Sequence, residues 1–251
     1  MSILQTRDLA IGYHGQALGT VINLAIHPGE VVSLLGPNGS GKTTLFRTLL
    51  GVLPPVSGQV LAGGRSLQQW PQRKLANLLG YVPQAHTGLF AFTVEDVVLM
   101  GRTARLKRFG APSARDRHIA QAMLERMGAG HLAKRRFTEI SGGQRQLALI
   151  ARALAQEVSL LIMDEPTASL DFGNQLKTLD AIEQLRNEGL SVLISTHQPE
   201  HALTISDRIA LIRDGELKAI GPAQETVTPA SLATLYDVAE HMVAGCFSNA
   251  F

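Results

Sequence analysis

The sequence predicts an α/β protein with a mostly parallel sheet, an N-terminal antiparallel β-subdomain and an inserted α-helical subdomain. In the first and last parts of the chain, short apolar runs alternate with helical patterns, which is typical of parallel strands covered by helices. From about residue 85 to 155, apolar positions recur at helical spacing instead. We therefore expect a single domain over residues 1–251, with an α/β core at about 1–84 and 156–251 and the helical subdomain at about 85–155.

The individual elements follow from the pattern in chain order. Strands are predicted at residues 3–13, 21–26, 31–35, 57–61 and 79–82. Helices are predicted within 94–100, 119–127 and 147–154. Beyond them, strands at 160–163, 192–195 and 209–212 alternate with a helix at 175–186. The residues after about 239 are weakly patterned, and no element is predicted there.

Composition and charge exclude several classes of protein. With 45% hydrophobic and 18% charged residues, the chain can bury a core and is not of the disordered type. Its formal net charge of +2 argues against binding nucleic acid through a broad basic surface. The single cysteine, Cys246, cannot form an internal disulfide, which fits a reducing compartment. The chain starts without a signal-peptide pattern and its apolar runs are strand-sized, so we expect no membrane span.

A glycine-rich motif lies between the strand predicted at 31–35 and a helical pattern. It fits G-x-x-x-x-G-K-S/T and consists of Gly36, Pro37, Asn38, Gly39, Ser40, Gly41, Lys42 and Thr43. Such glycines let backbone N–H groups and the helix N-terminus point at phosphate oxygens. Lys42 is suited to the β- and γ-phosphates and Thr43 to Mg²⁺. A glycine-rich turn with a chance lysine would not match every fixed position, so the motif predicts a P-loop NTPase core whose nucleotide site includes the adjoining Thr44.

Two carboxylates follow the apolar strand predicted at 160–163. Ligands of open parallel sheets bind at the carboxyl ends of the strands, where Asp164 and Glu165 are expected. Asp164 is suited to holding Mg²⁺, and Glu165 is suited to orienting or deprotonating an attacking water. The alternative is that the pair only caps a helix or a turn. The P-loop in the same chain favours the catalytic interpretation.

A second anion-binding sequence precedes the helix predicted near 147–154. It consists of Ile140, Ser141, Gly142, Gly143 and Gln144. A serine and two glycines at a helix start make a nest of exposed N–H groups. The stretch resembles the LSGGQ signature of ATP-binding cassette (ABC) proteins. In that family the signature binds the γ-phosphate of ATP held by the P-loop of the other subunit, so the resemblance implies ATP as the nucleotide and a head-to-tail homodimer.

Further positions match the family pattern residue by residue. Tyr13 resembles the aromatic residue that stacks on adenine, although a lone aromatic residue is also common in a core. Gln84 resembles the Q-loop glutamine that joins the Mg²⁺ and water shell. His197 resembles the switch histidine that contacts the γ-phosphate. Ser169 and Asp171 resemble the D-loop, which contacts the partner subunit. The resemblance thus implies Lys42, Glu165 and His197 as the catalytic set.

The sequence departs from the family pattern at two positions. Ile140 replaces the commoner leucine, an apolar exchange that should leave the nest intact. Gln198 follows the switch histidine where many members have aspartate, which leaves the hydrogen bonding of that loop open. A competing motif, H-x-x-E-H from His197 to His201, is used by zinc peptidases. We expect its two imidazoles to diverge, because His197 ends a strand and Pro199 suits a helix start.

The segment from Phe90 to Arg102 resembles importer ATPases for iron-siderophore complexes, haem, cobalamin and related metal chelates or oxyanions. In such transporters this region receives a short cytoplasmic helix of the membrane subunit. Phe90 and Phe92 are candidates for that socket or, equally, for the subdomain core. Basic residues cluster nearby, at Arg102, Arg105, Lys107, Arg108, Arg115 and Arg117. A solvated face is the commonest meaning of such a run. Contact with acidic lipid or the membrane subunit is the main alternative, and nucleic-acid binding is disfavoured because aromatic residues are sparse there.

Together the motifs predict an ATPase that uses ATP and Mg²⁺ to power an ABC importer. The resemblance implies three partners: a second copy of the chain, polytopic permease subunits and, indirectly, an extracytoplasmic substrate-binding protein. It implies no nucleic acid, and a peripheral location on the cytoplasmic face of the cell membrane. The alternative is a soluble cassette ATPase of DNA repair or translation, but the chain has one cassette and no sustained heptads. A non-hydrolysing regulatory cassette is disfavoured because the catalytic residues are present.

Overall fold

The computed structural model describes residues 2–84, 92–106 and 110–246. The chain divides into two compact units: unit 1 comprises Met1–Gln69 and Ser191–Phe251, and unit 2 comprises Trp70–Leu190. The predicted helical subdomain, residues 85–155, falls within unit 2, and its boundaries stay a prediction. Phe90, Lys107 and Arg108 lie outside the described residues.

The first segment of unit 1 is built mainly of strands. Its elements are β1 (Leu4–Tyr13), β2 (Gln16–Ile22), β3 (Ala25–Ile26), β4 (Val31–Leu35), α1 (Lys42–Leu49), β5 (Ser57–Ala62) and β6 (Arg65–Ser66). β1 pairs antiparallel with β2, β3 and β5, as the sequence predicts for an N-terminal β-subdomain. β2 begins earlier than the predicted residue 21. His14 and Gly15, with φ angles of 51° and 79°, close a two-residue hairpin directly after β1.

Unit 2 combines two parallel strands with helices. Its elements are α2 (Gln72–Leu75), β7 (Leu79–Val82), α3 (Val94–Leu99), α4 (Ala114–Arg126), α5 (Gly142–Leu154), β8 (Leu160–Asp164) and α6 (Phe172–Asn187). β7 and β8 pair in parallel from Leu79 opposite Leu160 to Val82 opposite Met163. The helices α3, α4 and α5 each begin with a capping box, in which the N-cap side chain and the side chain three residues later bond each other's backbone N–H.

The last segment returns to unit 1. Its elements are β9 (Ser191–Thr196), α7 (Pro199–Ile205), β10 (Arg208–Arg213), β11 (Glu216–Pro222), α8 (Ala223–Thr226), α9 (Pro229–Tyr236) and α10 (Glu240–Cys246). β4 pairs in parallel with both β9 and β10, and β11 pairs antiparallel with β10. Every residue of β4 and β9 is buried, which explains their continuous apolar runs. The three parallel strands end at one edge of the sheet, where the P-loop and His197 begin.

Arg102 is a buried structural cation and not part of a solvated basic face. Its guanidinium donates to Asp116 Oδ1 at 3.0 Å, to Glu157 Oε2 at 2.7 Å and to the Ala155 carbonyl O at 2.6 Å. Arg115 and Arg117 are exposed, which is compatible with both interpretations of the basic run. In the part of the chain that the structure describes, no helix has the length and hydropathy of a membrane span.

Candidate nucleotide-binding site

The P-loop connects β4 to α1 through a backbone that only glycine accommodates at three positions. Gly39 and Gly41 have φ angles of 82° and 99°, in the left-handed region. Gly36 has no room for a side chain, because a Cβ there would overlap the carbonyl O of Ile212 on β10. Glycine is therefore required at these three positions by the backbone conformation and the close packing of this loop. Asn38 and Gly39 lie exposed at its crest, and Ser40 is buried beneath it.

Lys42 is the first residue of α1 and spans the loop. Its Nζ donates to the carbonyl O of Gly36 at 2.8 Å and of Pro37 at 2.9 Å, and the residue is buried. Thr43, next along α1, is exposed. The first turn of α1 carries no acidic residue, so the positive end of the helix dipole is not countered there. This arrangement can bind a chain of phosphates.

Tyr13 ends β1 close to α1. Its hydroxyl accepts hydrogen bonds from Thr44 Oγ1 at 3.3 Å and from Arg47 Nη1 at 3.5 Å. The residue is 39% exposed, so Tyr13 is not a core residue. Thr44, by contrast, is buried, and its hydroxyl points to Tyr13. An accessible ring anchored by its hydroxyl end is suited to stacking on a base.

His197 lies in the two-residue connection between β9 and α7. The N–H of Gly36 donates to the carbonyl O of Thr196 at 3.3 Å, which joins the start of the P-loop to the end of β9. The backbone N–H of Gln198 donates to Thr196 Oγ1 at 3.1 Å, so the departure from the family pattern at this position leaves the turn hydrogen-bonded. The hydroxyl of Tyr236 donates to the carbonyl O of His197 at 2.8 Å.

The zinc-peptidase motif does not have the helical context that its chemistry needs. His197 precedes α7, which begins at Pro199, whereas His201 lies within that helix. Burial lowers the pKa of His201, and the nearby His197 acts in the same direction while Glu200 opposes both. Within residues 2–84, 92–106 and 110–246, no group of three or more His, Cys, Asp or Glu side chains is arranged to hold a metal ion.

In unit 2, Asp164 is the last residue of the buried strand β8, and Glu165 follows it. Asp164 is 5% exposed, and the hydroxyl of Tyr81 on β7 donates to its Oδ2 at 3.4 Å. Glu165 has a φ angle of 45°, an unusual left-handed conformation for a side chain of this size. Neither carboxylate caps a helix, because α6 begins at Phe172 and is capped by Asp171. A helix cap is therefore excluded, whereas Glu165 does begin a turn, in which its carbonyl O accepts from the N–H of Ala168 at 3.1 Å. Gln84 is half-buried just beyond the end of β7.

The signature sequence forms the N-terminus of α5. Ser141 Oγ accepts from the N–H of Gln144 at 3.2 Å, and Gln144 Oε1 accepts from the N–H of Ser141 at 3.0 Å. This reciprocal capping box leaves the intervening N–H groups of Gly142 and Gly143 in the first turn, where an α-helix has no internal acceptor for them. Ile140, which replaces the usual leucine, is buried as a leucine would be. The nest expected from the sequence is compatible with this geometry.

The D-loop is joined to the signature through Asn174 on α6. Asp171 accepts from the backbone N–H of Asn174 at 2.9 Å and from its side-chain amide at 2.6 Å, and the backbone bond lowers the pKa of Asp171 most. Asn174 in turn fills the space beside Gly143, where a Cβ would overlap it. Ser169, with a φ angle of 62°, turns the chain toward Asp171. Signature and D-loop are thus one interlocked surface of unit 2.

The predicted site residues divide between the two units. Unit 1 carries the P-loop, Tyr13 and His197, and unit 2 carries Gln84, the signature, the Asp164–Glu165 pair and the D-loop. Three supporting residues were not predicted from the sequence: Tyr81, Asn174 and Tyr236. Each acts through a hydrogen bond or a close packing contact with a motif residue. Of these, only Asn174 had a detectable pattern, because it stands three residues after a capping aspartate.

Comparison with known proteins places these motifs in context. A family model described as "ABC transporter" matches residues 20–168. An uncharacterized ABC transporter ATP-binding protein of Haemophilus influenzae is 42% identical over 247 residues, covering 98% of this chain and 94% of its own length. A hemin import ATP-binding protein of Gloeobacter violaceus is 37% identical and covers 97% of this chain and 92% of its own length.

A solved structure of an ABC transporter shares this fold. A putative metal-chelate type ABC transporter in an inward-facing conformation matches with a TM-score of 0.83 and 34% identity, covering 94% of this chain and 89% of that one. This likeness confirms the fold class predicted from the sequence, a P-loop NTPase core with an antiparallel β-subdomain and added helices.

Proposed function

The chain belongs to the ABC transporter family and is an ATP-binding ATPase, and from this premise we propose that it powers the import of a small solute through a separate membrane subunit. The solute is a metal chelate or a related compound: an iron-siderophore complex, haem, cobalamin or an oxyanion. The observation that carries the proposal is the presence on one chain of a P-loop that holds Lys42 and a capped signature helix that begins at Ser141. Each is one half of a nucleotide site.

The P-loop half would bind ATP through residues already described. The backbone and side chains of the loop surround the phosphates, and the ring of Tyr13 stacks on adenine. Residues 36 and 38–44 make up this half: Gly36, Asn38, Gly39, Ser40, Gly41, Lys42, Thr43 and Thr44. Lys42 and His197 stabilise charge on the γ-phosphate, and Glu165 orients the attacking water. Such catalysis depends on positioning, because the protein itself forms no covalent bond.

The residues suited to Mg²⁺ are Thr43, Gln84 and Asp164. Their hydroxyl, amide and carboxylate oxygens are the hard donors that Mg²⁺ prefers. The exposure of Thr43 and the placement of Asp164 at the carboxyl end of β8 fit this role. When bound, Mg²⁺ neutralises charge on the phosphate oxygens.

A second copy of the chain would complete each site. In a head-to-tail homodimer, Ser141, Gly142, Gly143 and Gln144 of one copy face the γ-phosphate on the P-loop of the other. Ser169 and Asp171 lie in the adjoining D-loop and would belong to the same interface. The packing of Asn174 against Gly143 supports this, because it makes signature and D-loop a single surface. ATP binding would then close the dimer, and hydrolysis would reopen it.

The remaining partners are permease subunits and, through them, an extracytoplasmic substrate-binding protein. Phe92 is 44% exposed just before α3, which is compatible with contact to a permease helix. A subunit with these partners would act at the cytoplasmic face of the cell membrane. The names of the relatives support import, because one is a hemin import ATP-binding protein and one is a metal-chelate type transporter. The alternative, a soluble ATPase of DNA repair or translation, has no comparable support.

The enzymatic part of the proposal is tested by Glu165→Gln. We expect steady-state ATP hydrolysis to fall by at least about a hundred-fold, while ATP binding is kept and an ATP-dependent dimer appears in size-exclusion chromatography with light scattering. Glu183→Gln, on the exposed face of α6, is the matched control and should keep normal turnover. Wild-type turnover in Glu165→Gln would remove Glu165 from its role.

The transport part needs the whole complex. Purification from native membranes should recover a polytopic protein together with this chain, and recovery of ribosomes or DNA instead would contradict the proposal. Reconstitution with the cognate binding protein, followed by native and elemental mass spectrometry of that protein's ligand, would identify the cargo. ATP hydrolysis in vesicles should rise when the loaded binding protein is added.

A further inference from the structure

We infer that Tyr236, on helix α9, is a positioning residue for the switch histidine. Its phenolic hydroxyl donates to the carbonyl O of His197 at 2.8 Å and thereby holds the backbone that carries the imidazole. The inference rests on the proposed function, since it assumes that His197 contacts the γ-phosphate during hydrolysis. It adds a residue from the C-terminal part of the chain to the support of the catalytic site.

The segment around His197 is short, and each of its backbone anchors is identifiable. On the N-terminal side, the carbonyl O of Thr196 accepts from the N–H of Gly36 in the P-loop. On the C-terminal side, the N–H of Gln198 donates to Thr196 Oγ1, and α7 begins one residue later. The bond from Tyr236 fixes the peptide group between these anchors. Rotation of that peptide group would move the backbone that carries the imidazole, so its fixation restricts the position of the His197 side chain.

Helix α9 is itself firmly attached, which a positioning role requires. Thr228 and Ser231 form a capping box at its start. At its end, Arg213 donates to the carbonyl O of Thr234 at 2.6 Å and to that of Leu235 at 3.4 Å, and Asp237 follows in a left-handed conformation with φ 58°. These groups cap both ends of an eight-residue helix.

The apolar face of α9 also packs against the end of β4, which leads into the P-loop. Leu232 and Leu235 are buried in a cluster that includes Leu35, the residue directly before the P-loop, and Ala202 on α7. Tyr236 packs against the same cluster. Helix α9 therefore supports Leu35 through packing and His197 through a hydrogen bond. This double attachment within unit 1 ties the position of His197 to that of the P-loop.

The hydrogen bond from Tyr236 to His197 predicts separate effects on kcat and on KM. The P-loop binds ATP without the hydroxyl of Tyr236, so KM for ATP should change little. The contact of His197 with the γ-phosphate matters most in the transition state, so kcat should fall. Tyr236→Phe removes only the hydroxyl, and we expect kcat to fall about three- to ten-fold, the range that corresponds to one ordinary hydrogen bond.

The test compares Tyr236→Phe with a matched control in ATPase assays of the full chain. Thr234→Ala lies on the same helix and removes a hydroxyl that donates to the Ala230 carbonyl O within α9, so its kcat should be that of the wild type. A double-mutant cycle with His197→Ala separates positioning from general damage. If Tyr236 acts through His197, adding Tyr236→Phe to His197→Ala should cause no further loss in a single-turnover assay.

Each outcome has one meaning. Loss of activity in His197→Ala with wild-type kcat in Tyr236→Phe overturns the inference and leaves the proposed function intact. Full activity in His197→Ala removes the assigned role of His197, and the inference with it. Equal losses from Tyr236→Phe in both backgrounds would show a merely structural role. As a second measurement, the imidazole NMR signal of His197, assigned with His197→Ala, should shift in Tyr236→Phe and not in Thr234→Ala; an unchanged signal would also overturn the inference.

Discussion

The guanidinium of Arg102 and the carboxylate of Asp116 form a hydrogen-bonded ion pair, with Nε and Oδ1 3.0 Å apart. Asp116 is also the acidic member of the capping box at the start of α4. Through the same guanidinium, the chain after α3 is joined to α4, to the carbonyl O of Ala155 after α5, and to Glu157. One side chain thus links three segments of unit 2.

Removal of this cation should destabilise the protein. We expect Arg102→Met to lower the free energy of unfolding by about 3 kcal/mol, because Asp116 Oδ1 and the Ala155 carbonyl O lose the guanidinium that donates to them. Arg117→Met, at an exposed site on α4, should change it by less than about 0.5 kcal/mol. Urea unfolding followed by circular dichroism measures both. Equal effects would show that the burial of Arg102 contributes nothing to stability.

The carboxylate of Asp116 predicts that the free energy of unfolding depends on pH. The Ser113 hydroxyl, then its backbone N–H, and then Arg102 lower the pKa of Asp116 from 3.8 to about 2. Because the pKa is lower in the folded state, its contribution to stability is fully present above pH 3.8 and is lost as the pH falls toward 2. Between these values, the free energy of unfolding of the wild type should fall more steeply with pH than that of Asp116→Asn. Asp180→Asn, exposed on α6, should keep the wild-type slope.

The two signature glycines provide a matched pair of substitutions. A Cβ at Gly143 would overlap Asn174, which cannot turn away because Asp171 holds both its backbone N–H and its amide. Gly143→Ala should therefore lower the free energy of unfolding by about 1 to 3 kcal/mol. A Cβ at Gly142 would meet Leu170 Cδ2 at 3.6 Å, an ordinary contact, so Gly142→Ala should be neutral or slightly stabilising. Thermal unfolding of both variants distinguishes the two effects; similar melting temperatures would contradict the steric argument.

Tyr13 can be tested through nucleotide affinity. If its ring stacks on adenine, Tyr13→Ala should raise KM for ATP by about ten-fold with little change in kcat. Tyr13→Phe keeps the ring and loses only the long hydrogen bonds to Thr44 and Arg47, so KM should stay within about two-fold of the wild type. An unchanged KM in Tyr13→Ala would mean that the adenine lies elsewhere.

Most strands could be predicted: β1, β5, β7 and β10 match their predicted ranges to within one residue at each end, and so do the strands buried on both faces. β4, β8 and β9 are continuous apolar runs, and their observed bounds differ from the predicted ones by at most one residue at each end. β11 could not be predicted, because it pairs with β10 on one side only and alternates between half-buried and exposed positions. The short helices α8 to α10 were not predicted for a related reason. Each buries too few residues to show a helical period, and α9 is defined by its local caps.

At the candidate site, motif residues could be predicted and their supports could not. The P-loop and the signature have fixed spacings, whereas Tyr236 and His197 are far apart in the chain and are brought together by a hydrogen bond. The prediction of a solvated face was wrong at Arg102 for another reason. Charge in a sequence does not reveal burial, and Arg102 is buried because two carboxylates from distant positions surround it.

The close approach of Gly36 to the Ile212 carbonyl has a mechanical consequence. With no space for even a methyl group between loop and strand, the start of the P-loop cannot relax toward the sheet when a nucleotide arrives or departs. Movement of the loop start toward β10 is blocked by this contact within unit 1. Any shift of this segment on nucleotide binding must therefore carry it away from β10 or move β10 with it.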